Sequence, residues 1–275
     1  MIHGTSIISE KARIADNVAI GPYCVVGDGV EIANNVKLHA HVCIGGNTLV
    51  GAHTQIFPFA CIGYPPQDLK YKGEESYVII GSSNVVREYV TIHPGTKLGN
   101  MKTVIGNNCL LMIGAHVAHD CTLGNNIVLA NHATLGGHVV VDDFAILGGL
   151  SAVHQFVRIG KHAIIGGVSA VVEDVIPYGS AVGDRATLAG LNIRGMKRRN
   201  FSKTEIHAIR HVYEMIFLDD SDTFAKRMEI ALKEYGDVPS VAEMIAFLHN
   251  DTNRPICLPR RKKHKRTTPG GKDSV

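Results

Sequence analysis

Between residues 116 and 156 the chain gathers side chains suited to moving a proton and stabilising an anion. They are His116, His119, Asp120, His138, His154 and Gln155, with glycines at Gly136 and Gly137. A neutral imidazole within reach of a hydroxyl acts as a general base when a partner orients it. His119 beside Asp120 supplies such a pair. An exposed glycine N–H, such as that of Gly137, can donate to a developing oxyanion. Six of the 15 histidines fall within residues 116–162. Four of them join this group, whereas His132 and His162 read as histidines tolerated at surface corners.

These groups meet only if the backbone stacks them. An aliphatic residue recurs every six positions from Ile8 to Ile62, in phase again at Ile80, Val86 and Ile92. After a one-residue shift the series runs from Ile105 to Val171, giving 25 aliphatics without exception inside the three blocks. Four positions later the side chain is usually small, as at Cys109, Ala115, Cys121, Ala133 and Ala145. Gly directly follows the aliphatic at Gly21, Gly51, Gly106 and Gly160, where it is expected to permit tight corners with unusual backbone angles. A period of six is neither helical nor simple strand alternation; it is the mark of a parallel β-helix. Three hexads form one triangular coil, so the repeat predicts about eight coils and, at ~4.8 Å between strands, a prism ~40 Å long.

Residues eighteen apart then lie one above another. His119 sits under Gly137 and Gln155, Asp120 under His138, and Ala118 under Gly136 and His154. Three rows form one outward patch, bordered by His116. The same patch admits a different chemistry. The zinc-binding gamma-class carbonic anhydrases share this kind of fold and hold their metal with three histidines. His116 and His119 permit that reading, and the residues alone leave base and metal open.

The rhythm breaks at 64–79, which holds Gln67, Asp68 and Lys70, and at 93–104. Both segments read as loops leaving the prism, where function tends to sit on a rigid scaffold. Leu110, Val128, Ile146 and Ile164 form an outward aliphatic column that implies a partner surface, either another subunit or the chain's own C-terminal part. The repeat stops near Pro177, and residues 177–201 read as irregular. Ser202 with Glu205 makes a capping box ahead of Ile206, Ile209, Tyr213 and Ile216 at helical spacing. Phe224 to Tyr235 forms a second amphipathic helix, and Val241 to Leu248 a third, capped by Ser240 with Glu243. The expected organisation is a β-helix over 1–191, a small α-helical domain over 192–250 and a basic, unstructured tail over 251–275.

The net charge of +3 conceals an asymmetry: residues 254–275 hold eight Lys or Arg and one Asp, while the rest holds 20 bases and 24 acids. No aromatics interleave with the basic tail, which argues against nucleic-acid binding. No segment reads as a signal peptide or membrane span, so a cytoplasmic protein is expected. The six cysteines contain no Cys-x-x-Cys, which makes a disulfide framework or zinc ribbon unlikely.

The motifs Gln67-Asp68-Leu69-Lys70-Tyr71, Leu110-Leu111-Met112-Ile113, Ala118-His119-Asp120-Cys121, Ala152-Val153-His154-Gln155-Phe156 and Lys197-Arg198-Arg199 occur in this order. With the hexapeptides they resemble the UDP-N-acetylglucosamine O-acyltransferases of lipid A synthesis, over about residues 1–250. The resemblance implies a left-handed all-β prism and a homotrimer with sites between subunits. It implies transfer of a (3R)-3-hydroxyacyl group from acyl carrier protein to the 3-position of a UDP-amino-sugar, with no cofactor and no metal. His119 would be the base, Asp120 its support and Gly137 the oxyanion donor. His116, His138, His154 and Gln155 would bind donor or acceptor. Gln67, Asp68 and Lys70 of the adjacent subunit would contact the sugar nucleotide, and Asn192, Arg198 and Arg199 the nucleotide or pantetheine arm. Gly167 occupies the acyl-chain ruler position, and a glycine there leaves room for a long chain. Arg194 stands where the family usually has a glutamate. A 3-amino acceptor, or a zinc lyase, are the alternative activities.

Overall fold

The computed structural model describes residues 1–250 and 254–260. Each hexad contributes a very short strand whose first residue points outward and whose second points into the prism. Val25–Val26, Leu110–Leu111 and Ile146–Leu147 each pair a half-buried residue with a buried one. The strands stack into three faces of nine, eight and ten strands, visited in that order by every coil, and all pairs are parallel except the last of the ten-stranded face. We call them faces 1, 2 and 3. Register follows the repeat: Leu110 lies opposite Val128, then Ile146, then Ile164 on face 3. The small residues fill the corners of the core, where Ala115, Cys121, Ala133 and Ala145 are all fully buried.

The glycines after the aliphatics serve a purpose other than the one expected. Gly51, Gly106 and Gly160 do not adopt positive φ. A Cβ on them would fall 2.4 Å from Gly81 C, 2.4 Å from Gly124 O and 2.3 Å from Pro177 N, so coil-to-coil approach excludes a side chain. The left-handed conformation falls instead on non-glycine corner residues, among them Asp120 (φ 61°), His138 (φ 61°) and Phe156 (φ 66°). Such residues are disfavoured locally, and here the stacked coils impose the turn.

Both breaks in the repeat leave the prism at the edge between faces 1 and 2. Ile62 pairs with Ile92, and Ile92 with Val117, so each loop is an insertion between adjacent coils. The loops end earlier than the sequence suggests, because Tyr77–Ile80 and Lys102–Ile105 are already strands of face 2.

Residues 177–201 are ordered rather than irregular. Gly179–Val182 and Thr187–Leu191 form an antiparallel pair, and Ser180 and Ala181 continue face 3 beside Ile164 and Ile165. The hairpin thereby covers a strand edge that would otherwise lie open. Helices α1 (Ile193–Arg198), α2 (Lys203–Tyr213), α3 (Phe224–Tyr235) and α4 (Pro239–His249) follow, with a π-helical turn at Glu214–Leu218 after α2. Ser202 caps α2 by accepting from Glu205 N at 3.1 Å. The Glu205 carboxylate is occupied elsewhere, accepting from Ser240 Oγ. Ser240 therefore does not cap α4, which begins at Pro239 without a side-chain cap. Arg158 joins the helices to the prism: its Nε donates to Asp174 Oδ2 at 2.7 Å and its guanidinium lies 4.1 Å from the centre of the Phe247 ring.

The expectation of an unstructured tail fails for residues 254–260. Asp174 N donates to Pro255 O and Cys257 N to Asp174 O, both at 2.8 Å. Cys257 is buried, and Ile256 and Pro259 form parallel bridges to Asp174 and Leu188. The segment docks because the end of the prism still offers unpaired backbone groups. Residues 251–253 and 261–275, with most of the basic run, lie outside the described residues.

Candidate active site

The edge between faces 1 and 2 holds the candidate site. Val117 ends a face 1 strand and Thr122 starts the next strand of face 2, leaving 118–121 to turn the corner. Positive φ at Asp120 and His138 sends successive side chains along one edge. His119 Nδ1 lies 2.9 Å from Asp120 Oδ2. A carboxylate only accepts, so Nδ1 carries a proton, and in the neutral ring Nε2 keeps its lone pair. The Asp120 side chain is fully buried and that of His119 is 16% exposed, so the imidazole reaches solvent while its partner does not.

Asp120 also accepts from Thr96 N at 3.0 and 3.1 Å, Thr96 Oγ1 at 2.7 Å and Asn100 N at 2.9 Å. The second loop is thus wrapped round the carboxylate. At Gly99 a Cβ would lie 2.2 Å from Asp120 Cγ, so only glycine allows that approach. Burial, the largest influence, pushes the Asp120 carboxyl up, but hydrogen bonds from His119 and Thr96 outweigh it and hold it below its ordinary range. The carboxylate stays ionised and fixed.

Gly137 lies directly over the His119 ring. A Cβ there would fall 2.5 Å from His119 Cε1 and 2.6 Å from Nε2. Among the described residues its N–H has no hydrogen-bond acceptor. One coil therefore offers a lone pair and the next a free donor, side by side. His138 stacks on Phe156 with ring centres 4.4 Å apart and meets His119 edge-on at 5.1 Å. Burial lowers the His138 pKa, against the pull of Asp120. His116 is pushed down to about 4 by burial and by His93 and His119. Both rings are neutral near pH 7.

The structure brings together His116, His119, Asp120, Gly137, His138, His154 and Gln155. Asp68 belongs with them, since its charge acts on this chain's own His138. Its loop is not confined to a neighbouring subunit. Gln67 and Lys70 are exposed on the same loop. Asn192, Arg198 and Arg199 lie elsewhere, at the edge between faces 2 and 3. Asn192 caps α1 by accepting from Gly195 N at 3.0 Å and donates to His162 O at 2.9 Å. Arg199 lies 4.1 Å over Phe144. Arg194 is exposed on α1. Gly167 is exposed on the third edge, between faces 3 and 1; a Cβ there would meet Gly149 O at 3.2 Å.

Sequence reading missed Thr91, His93, Thr96 and Asn100. Thr91 Oγ1 lies 2.7 Å from His116 Nδ1, and His93 meets His116 edge-on at 5.4 Å. Thr91 pairs with His116 across a loop, so finding it requires the length of that insertion. Thr96 and Asn100 gave only the signal of lying in the second break.

His119, Asp120 and His138 are also the one trio among the described residues whose donor atoms fall within 4.8 Å of one another. The zinc reading rested on His116 with His119, a different set. The carboxylate of this trio is already committed to four donor groups, and the Nδ1 it faces is protonated.

Residues 174–257 match the family model described as UDP-N-acetylglucosamine O-acyltransferase, domain 2. Residues 11–46 and 102–137 match the bacterial transferase hexapeptide model. The acyl-[acyl-carrier-protein]–UDP-N-acetylglucosamine O-acyltransferase of Azorhizobium caulinodans is 50% identical over 95% of this chain and 96% of its own. That of Bartonella henselae is 46% identical over 94% of both. The chain belongs to the UDP-N-acetylglucosamine O-acyltransferase family. The Acinetobacter baumannii member superposes with a TM-score of 0.90 at 41% identity, over 93% of this chain and 99% of that one. The Arabidopsis acyltransferase gives 0.82 at 34% identity, over 94% and 100%. The winding is the left-handed parallel β-helix of that family. Membership does not favour the zinc lyase or the 3-amino acceptor. No described helix is long and apolar enough to cross a membrane.

Proposed function

We propose that this enzyme transfers a (3R)-3-hydroxyacyl group from acyl carrier protein to the 3-hydroxyl of UDP-N-acetylglucosamine, the first step of lipid A synthesis. The observation that carries this reading is the His119 ring, tied through Nδ1 to Asp120 and with Nε2 set beside the free N–H of Gly137. The sugar oxygen attacks the thioester carbonyl and gives its proton to His119 Nε2. Asp120 stabilises the resulting imidazolium. The carbonyl oxygen becomes an oxyanion and accepts from Gly137 N–H. Collapse breaks the carbon–sulfur bond, and the departing pantetheine thiolate takes the proton back from His119. No acyl-enzyme forms. Cys109 and Cys121 are buried, and burial pushes the Cys121 thiol up to about 12, far from a nucleophile's range.

His116, His138, His154 and Gln155, with Gln67, Asp68 and Lys70, bind the donor and the sugar nucleotide. Asn192, Arg198, Arg199 and Gly167 occupy other edges of the chain and serve a site completed by neighbours in a homotrimer. Two observations support that assembly: the column Leu110, Val128, Ile146 and Ile164 is only half-buried within one chain, and Leu69 is 99% exposed at its loop tip. The reaction needs no metal or cofactor and takes place in the cytoplasm. An acyl-transfer assay with UDP-N-acetylglucosamine and a series of 3-hydroxyacyl carrier proteins tests the reading. Ester formation is expected, and absence of transfer to this acceptor with every donor would overturn it.

A further inference from the structure

Arg254 lies far outside the hexapeptide region, yet its side chain returns to the active edge. Its Nη2 is 2.6 Å from His154 Nδ1 and its Nε donates to Gln155 O at 3.1 Å. His154 Nδ1 also lies 3.3 Å from Gln155 O, so geometry alone would allow that nitrogen to donate. Guanidinium has donors only and keeps its proton. Nδ1 must therefore accept from Arg254, and the neutral ring carries its proton on Nε2. This is the opposite tautomer to His119, whose Nδ1 is the protonated nitrogen. One edge thus presents a hydrogen-bond acceptor at His119 and, two coils on, a donor at His154.

The arginine is delivered by built structure. The adjoining residues 255–259 hold the prism through Asp174 and Leu188: Leu188 N donates to Leu258 O at 3.1 Å, and Cys257 Sγ lies 3.3 Å from Ala186 O. Asp174 holds Arg158, and Arg158 holds α4. The same buried carboxylate residue therefore fixes the helical domain and the segment that carries Arg254.

We infer that Arg254 is a positioning residue of the active site, setting the His154 tautomer so that Nε2–H donates to an acceptor oxygen of a bound substrate. The ligand group is a carbonyl or phosphate oxygen. The inference rests on the acyl-transfer reading for its kinetic consequence, but the tautomer itself is independent of that reading.

Nitrogen-15 NMR of the full chain, assigned through His154→Gln, reads the tautomer directly. Wild type is expected to show Nε2 protonated and Nδ1 bare, and Arg254→Ala a mixture of the two forms. Unchanged tautomer populations in Arg254→Ala would overturn the inference even if activity fell. In steady-state assays Arg254→Ala should raise the KM for one substrate about tenfold, the scale of one lost hydrogen bond, with kcat changed less than twofold. Arg254→Lys, which lacks the fork needed for two acceptors, should fall between. The double variant Arg254→Ala with His154→Gln should be no worse than His154→Gln alone. Additive losses would mean that Arg254 acts on its own and would also overturn the inference. If wild type transferred no acyl group, the functional reading would fail while the NMR result stood.

Discussion

Two corners of this prism hold a histidine in a coil of the same shape, and they have opposite characters. At the edge between faces 1 and 2, His119 is tied to an ionised carboxylate and leaves its second nitrogen facing outward. At the edge between faces 2 and 3, His162 is buried between Phe144 and Tyr178, with ring centres 4.7 and 5.6 Å away, and meets Phe201 edge-on. Burial, with Arg199 and Lys161, pushes it down to about 4. The winding supplies a corner of the same kind to both, although His162 takes the left-handed position that Asp120 takes at the other corner. What differs is the chain added outside the repeat: a loop that hydrogen-bonds Asp120 at one corner, and a helical domain that covers the other. The solenoid distributes side chains, and the insertions decide which become chemistry and which become packing.

The sharpest way to break that contrast is to remove each ring. His119→Ala should lower kcat by about 10³-fold or more, the upper range for a general base, with the oligomer and its melting temperature unchanged. His162→Ala should do the reverse, losing stability with a smaller effect on chemistry. Steady-state kinetics and thermal melts on the same preparations decide it. Near-normal turnover in His119→Ala would remove the assigned base.

Gly137→Ala tests whether the two coils work as one unit. The new methyl would overlap the His119 ring, so the ring must swing away from the oxyanion donor. A loss of about 10²-fold in kcat is expected, the scale of a misplaced donor, without loss of fold by circular dichroism. Full activity would show that base and donor need not adjoin.

Thr96→Val gives a smaller effect. It deletes the Oγ1 donor to Asp120 and leaves the Thr96 N–H in place. About one neutral-to-charged hydrogen bond is lost, so a reduction of about tenfold in kcat is expected. An unchanged kcat would mean that the loop backbone alone orients the carboxylate.

The sequence made one part of this corner legible and hid the other. Stacking by eighteen placed His119, Asp120, Gly137, His138 and Gln155 on one edge, because register in a solenoid is simple arithmetic once the period is known. Thr96, Asn100 and Thr91 were hidden because the arithmetic stops at an insertion of unknown length. Glycines such as Gly51 were visible, but their reason was misread: their role is coil-to-coil approach, which depends on contacts a whole coil away in the chain. Arg254 and the hairpin at 179–191 follow no repeat at all. They are fixed by unpaired backbone at the end of the prism, a property of the folded state.

A further effect concerns stability and pH rather than turnover, and it belongs to the packing corner. His162 has a pKa of about 4 in the fold against 6.5 for an unperturbed imidazole. The unfolded chain therefore binds a proton first as pH falls, and the folded state is disfavoured progressively between about pH 6.5 and pH 4. The full span corresponds to roughly 3 kcal/mol at this site, present at neutral pH and lost by about pH 4. His116 adds a decline of the same sign, since it too is pushed down to about 4. His162→Phe keeps a flat ring between Phe144 and Tyr178 and removes the titration. Its denaturation midpoint should fall less steeply than that of wild type between pH 6.5 and 4, while the two converge in slope above pH 7. Parallel curves across the acid range would mean that the His162 ring takes up its proton without leaving the stack, and the contrast between the two corners would then rest on catalysis alone.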